Sequence, residues 1–207
     1  MSDDQAANDD LFGASLADRA ALLDEIASLR GALARCSARI AILDGLANMD
    51  SLVNLPNRRN FLANLESAIA RVGEHDVPAA VLFLDVDGLK AINDRLGHST
   101  GDKVLIKVAR LLVASVRQDD LVARLAGDEF GILLEHADEL SAWRMALRIV
   151  ETFDKCEFCV GGDPLPLSVA VGVGVIRRGD SPEEVLERAD KEMYRIKALS
   201  GPALTLV

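Results

Sequence analysis

The sequence lacks an excess of positive charge, a long apolar run and a cysteine framework. Its 207 residues contain 23 Lys and Arg against 33 Asp and Glu, for a net charge of −10. A surface that binds nucleic acid normally carries a basic stripe, so this balance argues against such a function. No apolar run reaches the roughly 18 residues of a membrane-spanning helix, and three cysteines are too few for a disulfide framework.

The chain also lacks a secretion signal and a P-loop. It begins with the acidic stretch MSDDQAANDD instead of a basic and then apolar stretch, so we expect a cytoplasmic protein with a disordered acidic tail at residues 1–14. No Gly-x-x-x-x-Gly-Lys-Ser/Thr segment is present to hold phosphates. Cys156 and Cys159 form a single C-x-x-C pair, which is a weak sign of redox or metal chemistry, and we interpret both as ordinary strand or loop residues.

Residues 15–49 have the seven-residue pattern of a coiled coil. Spacings of four and three alternate between apolar or small residues, which are Leu22, Ile26, Leu29, Leu33, Cys36, Ile40, Leu43 and Ala47. An amphipathic helix that packs on its own domain is the alternative, but the unbroken heptads favour two-stranded pairing. We therefore predict a parallel homodimer whose two C-terminal domains lie at the same end.

The segment Leu121–Leu134, LVARLAGDEFGILL, predicts a β-hairpin with two acids at its tip. Two apolar runs flank a four-residue connector, Ala126–Glu129, which contains a glycine as hairpin links commonly do. An ordinary turn gains nothing from a second acid, yet Asp128 and Glu129 are adjacent here. The hairpin tip is therefore a candidate functional site.

The segment Ala79–Leu89, AAVLFLDVDGL, predicts a buried strand that ends in Asp85 and Asp87. Either acidic segment alone is usually an ordinary solvated loop. If both strands share one sheet, however, Asp85 and Asp128 can converge on one divalent cation. Mg²⁺ takes carboxylate and backbone oxygens and leaves room for substrate phosphates, so the two segments together predict a metal site.

The rest of the chain predicts an α+β fold. Around the hairpin we expect helices at residues 57–72, 88–97, 101–117, 138–153 and from 182 onward, and strands at 79–85, 165–176 and 203–207. Ser181 at the N-cap and Pro182 at the first helical position mark the start of the last helix. The order predicts a central antiparallel sheet flanked by helices and preceded by the long coiled-coil helix. The helix at 138–153 is expected to bury Trp143, Leu147 and Val150.

Three segments, DSLVNLPNRR, LFLDVDGLKAINDRLGHSTGD and AGDEF, resemble the GGDEF-domain family, the diguanylate cyclases, in order and spacing. The resemblance begins at about Asp50 and implies a catalytic domain at residues 50–207 with the palm-like fold of nucleotidyl cyclases. It implies that two GTP molecules are joined into cyclic di-GMP, with release of pyrophosphate, where two such domains face each other. The coiled coil would then raise the effective concentration of the second domain.

The resemblance also implies a role for each residue of the site. Mg²⁺, or Mn²⁺, would be held by Asp85, Asp128 and the carbonyl of Val86. Lys90 would lie on the phosphate side. Activation of the 3′-hydroxyl needs a proton acceptor, and Asp128 and Glu129 are both candidates.

Asn93 and Asp102 occupy the family's guanine-reading positions, and Lys197 resembles a second phosphate-side lysine. Taken alone, Asn93 and Asp102 would be interpreted as helix caps, but the surrounding INDRLGH and GD segments favour the guanine role. From this lysine onward the family commonly has Lys-x-x-Gly-Arg, whereas this chain has Lys197-Ala-Leu-Ser-Gly201-Pro202. The absent arginine predicts one contact fewer to the terminal phosphates and weaker GTP binding.

Arg117 and Asp120 match the family's RxxD inhibitory site, and Arg148 lies where a second arginine often contributes. Arginine grips phosphate with two hydrogen bonds and stacks on bases, so product feedback is predicted. A surface ion pair at a helix end is the alternative. Two rival functions remain for the chain, namely a cyclic di-GMP receptor with a decayed active site and a coiled-coil module whose globular part only docks a partner.

Overall fold

The computed structural model describes residues 22–23, 25–39, 45, 47–160 and 163–200. The chain divides into two compact units, with the boundary between Ala47 and Asn48. In the first unit, residues 25–39 are helical, and the apolar heptad residues are exposed to solvent at Leu22, Ile26, Leu29 and Leu33. The tail at 1–14, the heptad residues Ile40 and Leu43, and the edge strand at 203–207 lie outside the described residues and stay predictions.

The described part of the second unit contains five helices and six strands. The helices are α1 (Arg58–His75), α2 (Leu89–Leu96), α3 (His98–Ser115), α4 (Glu139–Asp154) and α5 (Pro182–Ser200). The strands are β1 (Ala80–Val86), β2 (Leu121–Ala126), β3 (Glu129–Leu134), β4 (Cys159–Val160), β5 (Asp163–Pro164) and β6 (Val169–Val175).

Strand β1 is central in a four-stranded antiparallel sheet with the order β2-β3-β1-β6, and β4 and β5 form a separate two-stranded ribbon. The apolar side chains of β1 alternate between two cores, with Leu82 and Leu84 in one and Val81 and Phe83 in the other. Side chains on a strand point alternately to opposite faces, so an apolar run is buried on both. The predicted α+β fold, a central antiparallel sheet flanked by helices, is confirmed.

Two glycines in β6 determine how closely α5 approaches the sheet. A Cβ atom on Gly172 would lie 2.0 Å from the carbonyl oxygen of Ala189, and one on Gly174 would lie 2.7 Å from that of Val185. Both distances are shorter than a non-bonded contact between a carbon and an oxygen atom. Only glycine at these two positions therefore allows α5 to pack this closely on β6. The sequence GVGV therefore positions α5, and with it Lys197, over the sheet.

The buried face of α4 differs from the prediction. Leu147 is 62% exposed, so the prediction that it is buried is wrong, whereas Trp143 and Val150 are half-buried and pack against the core. The helix turns a neighbouring stripe toward the sheet, which consists of Ala142, Ala146, Ile149 and Phe153. The two alanines let the helix backbone lie close to the sheet, which leaves the larger residues at the side.

Three element boundaries also differ from the prediction. Helix α1 continues through Gly73 to His75 because a glycine inside a helix costs only about 1 kcal/mol relative to alanine. Helix α3 already begins at His98, and the late strand is limited to Val169–Val175.

The start of α5 agrees with the prediction. The Ser181 hydroxyl accepts a hydrogen bond from the backbone N–H of Glu184 at 3.3 Å, and the Glu184 carboxylate accepts one from the backbone N–H of Ser181 at 2.8 Å. This reciprocal pair is a capping box, and it begins the helix at Pro182.

Candidate active site

The turn between β2 and β3 consists of Gly127 and Asp128 alone. Ala126 pairs with Glu129, so the predicted four-residue connector is wrong, and its outer residues belong to the strands. Gly127 has a φ of +33°, a left-handed value that glycine adopts readily. Glu129 is in direct register with Asp85 of β1. Directly opposite residues of an antiparallel pair point to the same face, so the two carboxylates lie side by side.

The turn is also bonded to the end of β1. The backbone N–H of Val86 donates to the carbonyl oxygen of Asp128 at 3.1 Å. Asp85, Val86 and Asp128 therefore lie at one edge of the sheet, where the two strand ends meet. Their role as metal ligands stays a prediction.

Arg124 supports the turn from β2. Its Nε and Nη2 donate to the carbonyl oxygen of Gly127 at 3.0 and 2.7 Å, and its Nη1 lies 3.2 Å from both carboxylate oxygens of Asp50. Asp50 in turn accepts from the backbone N–H groups of Leu52 and Val53. The sequence analysis did not predict this role of Arg124. A single charged residue in the otherwise apolar strand LVARLA could have indicated it.

Lys197 of α5 lies among the acids that end β1. Its Nζ is 2.5 Å from Oδ1 of Asp85 and 3.3 Å from Oδ1 of Asp87, and the hydroxyl of Ser168 donates to the other oxygen of Asp87 at 2.9 Å. Burial alone would lower the pKa of Lys197, but the hydrogen bonds and charges of Asp85 and Asp87 outweigh it and raise that pKa. The positively charged ammonium group of Lys197 is therefore held at this edge of the sheet.

Glu129 lines a cavity of about 300 Å³ together with Arg58 and Asp190. Burial raises the pKa of Glu129 above its ordinary value of 4.5, and the charges of Asp128, Asp85 and Asp190 raise it further, while Arg58 opposes them. The sequence does not indicate that Arg58 lies near Glu129, because an arginine in the first turn of a helix is usually a solvated charge.

Asn93 lies on α2, against the first turn of α3. Its Oδ1 is buried without a hydrogen-bond partner in the described residues, while Asp102 and Lys90 are exposed on α3 and α2. Gly88 and Gly97 are the caps of α2, and Gly97 is also the N-cap of α3. The alternative reading of Asn93 and Asp102 as helix caps is therefore wrong.

A second site lies at the opposite end of the β2–β3 hairpin. Arg117 and Arg148 line one cavity of about 440 Å³. The Nη2 of Arg148 donates to the carbonyl oxygen of Ser115 at 2.5 Å. Asp120 accepts from the backbone N–H of Arg117 at 2.9 Å and of Glu135 at 3.3 Å, so it holds the loop in shape. The structure thus brings the two predicted arginines together. Asp120 lies beside them and stabilises the loop through its hydrogen bonds to the backbone.

The sequence profile for "Diguanylate cyclase, GGDEF domain" matches residues 47–201. The chain belongs to the GGDEF-domain family. The chain is 40% identical over 179 residues to the diguanylate cyclase TpbB of Pseudomonas aeruginosa, and the match covers 86% of this chain. The chain spans only 40% of the length of that relative.

Solved structures of GGDEF domains have the same fold. The coiled coil and GGDEF domain of DgcB from Caulobacter crescentus superimposes with a TM-score of 0.80 at 24% identity, over 87% of this chain and 95% of that one. The GGDEF domain of DgcB in complex with c-di-GMP superimposes with a TM-score of 0.71 at 27% identity, over 75% of this chain and 92% of that one.

The family implies a divalent metal ion, and the residues of this GGDEF domain fit one. In the described part of the chain, no three His, Cys, Asp or Glu side chains are grouped to hold a metal on their own. Asp85 and Asp128 supply two hard carboxylates beside the backbone oxygens of the strand end, and the Lys197 ammonium already binds as a cation to Asp85. Such a partial set suits a cation that shares its coordination with substrate phosphates.

Within the described residues, the helices of this GGDEF domain are too short or too polar to cross a lipid bilayer. The cytoplasmic location stays a prediction.

Proposed function

We propose that the chain is a diguanylate cyclase that condenses two GTP molecules into cyclic di-GMP and pyrophosphate. The observation that carries the proposal is that three acidic residues, Asp85, Asp128 and Glu129, are brought to one edge of the sheet, where β1 ends and β3 begins. The register of β1 with β3 and the hydrogen bond from Val86 to Asp128 create this group. The named diguanylate cyclases among the relatives supply the reaction.

Asp85, Asp128 and the carbonyl of Val86 would hold Mg²⁺, or Mn²⁺. When bound, the metal supplies positive charge to the triphosphate as the 3′-oxygen of one GTP attacks the α-phosphate of the other. Glu129 accepts the proton of the 3′-hydroxyl. Its raised pKa supports this choice over Asp128, because a base works best when its pKa is close to the working pH.

Asn93 and Asp102 read the guanine, and Lys90 and Lys197 contact the phosphates. A guanine offers hydrogen-bond donors at N1 and at its 2-amino group, and an amide and a carboxylate supply the acceptors. Lys197 is already placed at the carboxylate edge by its bonds to Asp85 and Asp87. Since the chain lacks the arginine of the family's Lys-x-x-Gly-Arg segment after Lys197, we expect weak binding of the terminal phosphates.

The active unit is a homodimer joined by a parallel coiled coil. We assign residues 1–14 to a tail, 15–49 to the coiled coil and 50–207 to the catalytic domain. The exposed apolar residues Leu22, Ile26, Leu29 and Leu33 support pairing, because a helix stripe of this kind is normally covered by a partner helix. The pairing brings two GTP sites together so that each domain contributes half of the reaction.

Cyclic di-GMP also acts as an inhibitor at the second site. Arg117 and Arg148 line a cavity of about 440 Å³ and can both donate to phosphate oxygens. Asp120 holds the loop that carries Arg117. The complex of the DgcB GGDEF domain with c-di-GMP supports a product site in this domain.

Turnover of GTP tests the proposal. The purified chain, incubated with GTP and Mg²⁺, should form cyclic di-GMP and pyrophosphate, and Asp128→Ala should abolish both products. Asp154→Ala, which removes an exposed carboxylate at the end of α4, is the matched control and should retain turnover. If the wild-type chain binds cyclic di-GMP but forms none, the enzyme proposal is wrong and the chain is a receptor, which the missing arginine would then explain.

A further inference from the structure

We propose that Gly101 is a positioning residue for base recognition, because the missing side chain at this position leaves the space in which the Asn93 amide lies. The inference rests on the proposed function, since it concerns how the guanine-reading residue is held.

The contact between Asn93 and Gly101 joins α2 to α3. Gly101 is buried in the first turn of α3, and a Cβ atom built on it would lie 1.9 Å from Oδ1, 2.9 Å from Cγ and 3.3 Å from Nδ2 of Asn93. Non-bonded carbon and oxygen atoms do not approach to 1.9 Å. Any other residue at position 101 would therefore displace the amide of Asn93.

No hydrogen bond within the described residues explains the position of this amide. Oδ1 of Asn93 is buried and has no partner there, although a buried oxygen without a partner costs free energy. The end of an asparagine side chain also rotates easily, so a bond or a close contact is needed to hold it. Packing against Gly101 is the contact that holds it here.

The expected consequence is a loss of recognition without a loss of folding. The clash at position 101 involves the end of a side chain, so the Asn93 amide moves while the backbone of both helices stays in place. The moved amide no longer faces the base. Guanine and hypoxanthine differ only in the 2-amino group, so the ratio of GTP to ITP binding reports whether the amide still reads that group.

A double-mutant cycle tests the inference, with KM and kcat measured for GTP and ITP in the wild-type chain, Gly101→Ala, Asn93→Ala and the double variant. In Gly101→Ala, KM for GTP should rise about tenfold, as expected for one misplaced hydrogen-bonding group, with a smaller change in kcat and a reduced preference for GTP over ITP. In the Asn93→Ala background, the same substitution should change KM less than about twofold. The amide that the new Cβ atom would displace is then absent, so the two positions are no longer coupled. An equal effect of Gly101→Ala in both backgrounds, or an unchanged KM, would overturn the inference.

Thermal denaturation tests the contact independently of turnover. Gly73→Ala is the matched control, because a Cβ there would meet nothing closer than Cγ of Arg178 at 3.9 Å, and alanine in a helix should raise Tm. In the Asn93→Ala background, Gly101→Ala should raise Tm as the control does, and beside the intact Asn93 it should raise Tm less or lower it. Equal shifts in both backgrounds would overturn the packing contact. A wild-type chain that binds neither nucleotide would overturn the proposed function and the recognition role together, while the Tm cycle would still decide the contact.

Discussion

The two ends of the β2–β3 hairpin present different candidate functional groups, two acids at the closed end and two arginines at the open end. At the closed end, Asp128 and Glu129 lie against β1, held by a backbone hydrogen bond and by strand register. At the open end, Arg117 and Arg148 line a cavity, and Asp120 braces the loop before β2. The acids are positioned by the sheet, whereas the two arginines come from a loop and a helix.

Under the proposed function, the closed end of the hairpin is the site of the reaction and the open end is the site of product inhibition. Strand register fixes the backbone of a carboxylate closely, which suits reacting groups that must be in place before the substrate arrives. Long arginine side chains on a loop and a helix adjust to a ligand and grip its phosphates. We therefore expect changes near the turn to lower kcat, and changes in the arginine cavity to alter inhibition by the product.

Among variants outside the proposed metal ligands, the largest effect is expected for Arg124→Ala. The variant loses both hydrogen bonds to the carbonyl oxygen of Gly127 and the ion pair with Asp50, so the turn that carries Asp128 is no longer held. Because misplacement of a reacting group by about 1 Å can cost about 100-fold, kcat should fall by roughly 10- to 100-fold. Steady-state formation of cyclic di-GMP measures this change.

Asp50→Asn is the companion variant. It weakens only the ion pair and leaves the bonds to Gly127, so its kcat should fall less than that of Arg124→Ala. A folded Arg124→Ala chain with unchanged kcat would show that the turn holds its shape without this support.

A smaller effect is expected for Arg148→Ala. The variant removes one of the two arginines of the cavity, and a hydrogen bond to a charged group contributes about 1.5–3 kcal/mol. The concentration of cyclic di-GMP that halves the rate should therefore rise about tenfold or more. Arg144→Ala, which removes an exposed arginine of the same helix, is the control. Equal inhibition of the two variants would place the product elsewhere.

The smallest effect is expected for the stability of Glu129→Gln. Glu129 has a raised pKa because it is half-buried beside other acids, so between pH 4.5 and that raised pKa the folded chain binds the proton more tightly than the unfolded chain. The free energy of unfolding then decreases as pH rises through this window. The glutamine variant does not have this loss of stability, so its Tm should exceed that of the wild type at neutral pH.

The gain in Tm should shrink as pH is lowered toward 4.5, in buffer with a chelator. Glu66→Gln, on the exposed face of α1, should show no such trend. A Glu129→Gln variant less stable than the wild type at neutral pH would mean that the carboxylate makes a favourable contact in the folded state.

Local pattern was sufficient for much of the fold. The apolar run AVLFLDV and the hairpin LVARLAGDEFGILL predicted β1, β2 and β3, because short apolar runs favour buried strands and a glycine between two such runs favours a turn. The exact connector was predicted wrongly, since Ala126 and Glu129 join the strands only through cross-strand pairing. The face of α4 was wrong for a similar reason, because helix periodicity defines a stripe but the sheet selects which stripe is buried.

Contacts between residues that are far apart in the chain could not be predicted from local sequence patterns. Arg124 supports the turn through Asp50, which is 74 positions away in the chain. Lys197 and Asp85 are separated by 112 positions. No local spacing encodes such contacts, because they arise only when helices and strands pack.

The sequence by itself determined the chemistry available to this protein, since the order of its acids, lysines and arginines identified the family and its candidate site. The tertiary structure alone decided which of these groups meet, because the register of β1 with β3 places Asp85 opposite Glu129 and the packing of α2 on α3 places Asn93 over Gly101. The physical reason is that residue type sets charge and hydrogen-bonding capacity locally, whereas distances between side chains depend on the packing of the whole domain.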